Sequence, residues 1–162
     1  MRLARLMLST AVAATVMAGA PDARADPGDG VALNGTYTAF SDGVWAKTND
    51  SYHDEKSVTQ TWTVSTTCST FQDCTGSVTS DQGWSADAVY MSGRWKVTRP
   101  VDNWEPCLDG TAPTGQQTFT FWKAQRDSPA LKGWDTTLGP SGACGWNKQL
   151  SVEMPFTLTP VG

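Results

Sequence analysis

Residues 57–84, SVTQTWTVSTTCSTFQDCTGSVTSDQGW, alternate apolar and polar side chains and carry two cysteines about their midpoint. Trp62 and Val64 fall on one side of such a strand, with Thr61, Thr63 and Ser65 on the other. A period of two belongs to a sheet with one dry face, whereas an amphipathic helix needs apolar residues three and four apart. No segment that carries the fold offers the helical period over a useful length. The stretch therefore predicts two antiparallel strands whose shared turn is clamped by Cys68 and Cys74.

The same pattern recurs along the chain. Residues 36–40 form a strand opened by Asn34-Gly35, and residues 86–91 and 94–99 flank a Ser92-Gly93 turn, a strong hairpin signal. Trp95 and Val97 face one way, Lys96 and Thr98 the other, and Pro100 is expected to end that strand because proline cannot donate to a ladder. Residues 116–125 alternate with Phe119 and Phe121 on one face and Trp122 on the other, and residues 131–138 form a weaker strand. The last strand has Val152, Met154, Phe156 and Leu158 inside. Segments 44–56 and 102–115 carry no period and read as loops. About eight strands joined in sequence point to an all-β fold, a single antiparallel up-and-down β-barrel, with a β-sandwich as the alternative. Closing the sheet removes the exposed edges that template aggregation.

The first 25 residues stand outside this pattern. Arg2 and Arg5 precede an apolar run over 6–20, and Ala23-Arg24-Ala25 has the small-x-small form that a signal peptidase cleaves. Residues 1–25 are read as a cleaved signal peptide, 26–33 as a flexible lead and 34–162 as the barrel domain. The apolar run is short for a bilayer span of about 20 residues, so no stable membrane insertion is expected. Of 12 basic and 16 acidic residues, the leader holds three arginines and one aspartate, which leaves a mature chain with an excess of acid. That balance argues against nucleic acid as a partner, because nucleic acid selects basic surfaces. All four cysteines lie in the exported part, where disulfides are the default. Three pairings exist on paper. The short closure of Cys68 with Cys74 leaves Cys107 with Cys144. A zinc site is disfavoured because neither pair has knuckle spacing, and no metal or cofactor is expected.

The sequence offers little catalytic chemistry. His53, the single histidine, lies in the acid-flanked segment Asp50-Ser51-Tyr52-His53-Asp54-Glu55 and reads as part of a solvated loop. Asp102, Glu105 and Asp109 cluster near Cys107, yet closeness in sequence does not hold two carboxylates at a working distance. Ser141 misses the nucleophile-elbow pattern at its final position. A weak hydrolase is the third reading. Eight tryptophans are the more distinctive feature. Indoles outside a core offer a large apolar plane with one donor, a form suited to sugar rings or apolar ligands. The candidate ligand-binding residues are Trp45, Trp62, Trp95, Trp104 and Phe119, with the first and fourth placed in loops that guard an entrance.

The chain also resembles a group of small exported actinobacterial, especially mycobacterial, proteins. The likeness rests on the Ala-rich leader, Asn34-Gly35-Thr36-Tyr37-Thr38, the TWTVSTTC run ending at Cys68 followed by Cys74, Gly76 and Val78, then Gly93-Arg94-Trp95, Trp104 with Cys107, and Cys144-Gly145. It implies a secreted, extracellular or cell-envelope location and carries no catalytic assignment. Asn34-Gly35-Thr36-Tyr37 is also similar to the opening strand of calycin-type barrels such as lipocalins and avidins, which implies a ligand in the barrel mouth. Tyr37 stands where those barrels have tryptophan. Together these readings give a non-enzymatic binding protein for a small apolar molecule or glycan. The alternative is a cell-envelope or host-facing protein-interaction module with a filled core.

Overall fold

The computed structural model describes residues 28 and 30–162; the predicted leader lies outside them. Ten strands follow in chain order: β1 (Asn34–Ser41), β2 (Lys47–Thr48), β3 (Ser51–Tyr52), β4 (Val58–Cys68), β5 (Cys74–Ser80), β6 (Ser85–Met91), β7 (Arg94–Val101), β8 (Gly115–Trp122), β9 (Leu131–Leu138) and β10 (Ser151–Pro160). From β4 to β10 each strand pairs antiparallel with the next, and β1 pairs with both β4 and β10. Eight strands thus close on themselves as an up-and-down barrel, with the short β2–β3 hairpin laid on the rim of β10. Disulfides join Cys68 to Cys74 and Cys107 to Cys144. The first staples the β4–β5 turn, and the second ties the β7–β8 loop to the β9–β10 loop.

The inward phase is the one the alternation predicts. Trp62, Val64, Trp95, Val97, Phe119 and Phe121 are all buried, and so are Met154, Phe156 and Leu158 on β10. Val152 is only half-buried, because it lies at the end of β10 where the hairpin attaches.

Two local expectations are corrected. Segment 44–56 contains the β2–β3 hairpin, whose turn residues Asn49 and Asp50 both have positive φ (48° and 69°). That backbone is the one a two-residue hairpin turn demands and Asn and Asp tolerate; strands of two residues are too short to show a period. Pro100 does not end β7, which continues to Val101. β6 pairs with β7 only as far as Val97, so the β6-facing edge is already free at Pro100 and no ladder bond is lost. Pro155 sits inside β10 by the same logic, between the stretch that pairs with β2 and the stretch that pairs with β1. Just before β1, Leu33 enters the core and Val31 packs against it.

Candidate functional site

The barrel interior has two parts with different chemistry. In its middle, Trp62 meets Phe119 edge-on at 4.8 Å and Phe156 at 5.4 Å, while Phe119 and Phe156 are 5.1 Å apart. Trp84 stacks on Phe119 at 6.1 Å with the planes 10° apart and meets Trp62 edge-on at 5.5 Å. Rings at these separations fill space, and interiors packed this way leave voids no larger than a water. The end of the barrel near the Cys68–Cys74 staple is closed by the segment before β1. There the Trp95 indole Nε1 donates to the Val31 carbonyl (3.2 Å), and Leu33 exchanges hydrogen bonds with the Thr66 hydroxyl.

The opposite end is polar although the side chains still point inward. The Asp135 carboxylate accepts from the Ser41 hydroxyl (2.7 Å) and from the Gln117 amide (2.8 and 3.0 Å). Gln117 in turn accepts from Arg99 Nε at 2.7 Å, and the Arg99 guanidinium lies 4.7 Å from the Trp84 ring. Beside them the Gln60 Oε1 accepts from three donors: the Trp62 and Trp84 indoles and the Ser80 hydroxyl. Burial raises the Asp135 pKa above its ordinary 3.8, outweighing the hydrogen bonds from Ser41 and Gln117 and the Arg99 charge, which lower it. Arg99 also bridges the gap where β6 and β7 part, by lying on Trp84.

Trp104 covers this polar end. A Cβ added at Gly115 would come within 2.8 Å of its indole, and one at Gly139 within 3.1 Å. Both glycines are buried and in the inward register of β8 and of the residue after β9, so the ring lies across the barrel mouth. The disulfide three residues on, at Cys107, holds the loop that carries it.

The five candidate residues are therefore spread over three places. Trp62, Trp95 and Phe119 are fully packed in the interior, Trp104 lies over one mouth, and Trp45 is exposed in a 3-10 turn (Gly43–Trp45), edge-on to Tyr52 at 6.4 Å. His53 is exposed, with Nδ1 3.3 Å from Glu55 Oε1. Asp102 accepts from Thr114, and Asp109 accepts from the Thr111 amide and hydroxyl, which lower its pKa. Among the described residues no group of three His, Cys, Asp or Glu side chains could hold a metal ion, and no helix is long and apolar enough to cross a membrane.

The outer face of β6–β9 brings together residues the linear pattern does not single out. Val89, Lys96, Thr120 and Trp134 are successive cross-strand neighbours in one row. The adjoining row runs from Met91 to Arg94, across to Trp122 and on to Lys132. Arg94 lies 5.0 Å from the Trp122 ring. A shallow hollow of about 250 Å³ opens among Val89, Met91, Ser92, Arg94, Lys96 and Thr120.

No family model and no curated protein matches the sequence. Among solved structures, the monomer form of the Mycobacterium tuberculosis PknI sensor domain aligns with a TM-score of 0.62 at 17% identity. The alignment covers 82% of this chain and 89% of that one. What the two share is the fold. The likeness carries no assignment of a ligand, and the calycin resemblance gains nothing from it.

Proposed function

We propose that this chain is an exported, non-enzymatic binding module that meets its partner with the outside of a filled barrel. The observation that carries the reading is the interior itself. Trp62, Phe119, Phe121 and Phe156 occupy the centre at no more than 2% exposure, and each mouth is covered, by Leu33 at one end and Trp104 at the other. A lipocalin-like ligand would have to displace that cluster, at about 3–5 kcal/mol for the space of one such ring. Two disulfides fit an oxidising, extracellular setting, and the structural neighbour is itself named a sensor domain. The indoles left at the surface, Trp45, Trp134 and Trp146, are the ones free to meet a partner.

The test is a fluorescence titration of the oxidised chain with neutral apolar molecules, Nile red and long-chain alcohols, alongside native mass spectrometry. The expected result is no stoichiometric uptake. Retention of one apolar molecule per chain, with quenching of an indole that iodide cannot reach, would return the function to the interior.

A further inference from the structure

We infer that the outer face of β6–β9 is a docking surface for an anionic polysaccharide, a chain of sugar rings bearing carboxylate, sulfate or phosphate groups. The inference rests on the proposed use of the outer surface and names its place and its chemistry. Arg94 and Lys96 on β7 and Lys132 on β9 are exposed on either side of β8, and none is paired with a carboxylate among the described residues, where the one ion pair is His53 with Glu55. No outward position of β7, β8 or β9 carries an acidic side chain; Asp87, outward on β6, is the one acid on a strand of this face, and Glu153 lies on the flanking β10. In a chain of net charge −4, this concentration of unpaired cations gives a local field opposite to that of the whole.

Charge alone would suit any polyanion. The indoles narrow the class. Trp134, 38% exposed, lies in the row of Lys96 and two residues along β9 from Lys132, and half-buried Trp122 lies in the row of Arg94 and Lys132. An indole plane beside a cation takes the flat apolar face of a sugar ring while the cation takes its acidic substituent. An acidic peptide has the charges without the rings. The hollow among Val89, Met91 and Thr120 is below the roughly 300–1,000 Å³ of a small-molecule site, which fits one ring of a longer chain rather than a whole ligand. A flat row of strands also lets a linear polymer touch several such points, so weak single contacts add.

The experiment is isothermal titration of the oxidised full chain with polygalacturonate, neutral dextran, poly-L-glutamate and phosphatidylglycerol vesicles. Polygalacturonate is expected to bind, with affinity that falls as salt shortens the Debye length from about 30 Å at 0.01 M to about 8 Å at 0.15 M. Lys96→Glu/Lys132→Glu is expected to lower that affinity at least about tenfold, a change of 1.4 kcal/mol. Trp134→Ala is expected to lower it about fivefold through the lost stacking plane, with circular dichroism and the melting temperature unchanged. Equal or tighter binding of poly-L-glutamate or of the vesicles overturns the inference, and so does dextran binding as well as polygalacturonate. Polygalacturonate binding that survives both variants overturns the placement on this face while leaving an outward-working module intact. Uptake of Nile red into the interior removes the underlying reading instead.

Discussion

The two halves of the barrel interior are built in the same register and held by different forces. In the middle, aromatic rings around Trp62 are buried with few polar atoms, and their contribution scales with area removed from water. At the Trp104 end, Ser41, Gln60, Gln117 and Asp135 are buried too, yet each is there only because others supply its hydrogen bonds. The first half tolerates imperfection in proportion to the volume lost. The second half fails group by group, because a buried donor or acceptor left alone costs more than a made bond contributes. Trp62 belongs to both: its ring packs on Phe119 and its Nε1 donates to Gln60.

Substitutions can break this contrast. Trp62→Ala should have the largest effect, about 3–5 kcal/mol by urea denaturation, since it opens a cavity and strips Gln60 of a donor. Gln60→Leu keeps the volume and should still cost about 2–4 kcal/mol, because two indole N–H groups and the Ser80 hydroxyl lose their acceptor. A loss below about 1 kcal/mol would show that water reaches that end and would erase the distinction drawn between the halves. Asp135→Asn sharpens it through pH. The folded state raises the pKa of Asp135, so above the ordinary 3.8 it holds a proton that the unfolded chain has released. Stability then falls as pH rises through the window from 3.8 to the raised value, and is flat on either side of it. The asparagine variant should lack that slope, measured as the difference between the two denaturation curves from pH 3 to pH 8. Trp45→Ala, at the exposed 3-10 turn, should change stability by no more than about 0.5 kcal/mol. A larger loss would mean that Trp45 and Tyr52 hold the β2–β3 hairpin on the barrel.

Much of the polar end was legible before the strands were assembled. Gln60 stands two residues before Trp62, Gln117 two before Phe119 and Arg99 two after Val97, so each lies in the inward phase of its own strand. A period of two places them inside whatever their polarity. What it cannot show is that they meet, since Asp135 and Ser41 are 94 residues apart and touch only when β1 closes on β10. The outer face is a sharper case. Arg94, Lys96, Lys132 and Trp134 each read as solvent-facing, while the net charge of the chain argues against a polyanion such as nucleic acid. That count averages over the whole surface, and a binding face is a local quantity. The β2–β3 hairpin was not legible because two-residue strands carry no period and are fixed by the free edge of β10.

By itself the sequence determined the all-β class, the strands that build the barrel wall, most of their inward residues and the expectation of two disulfides. Each of these depends on spacing along one strand or on a count of cysteines in one compartment. Only the tertiary structure decided that the barrel is filled rather than hollow, that Leu33 and Trp104 cover its ends, and that three unpaired cations share a face with two indoles. Volume enclosed, and neighbours across strands, follow from register and closure, which no single strand encodes.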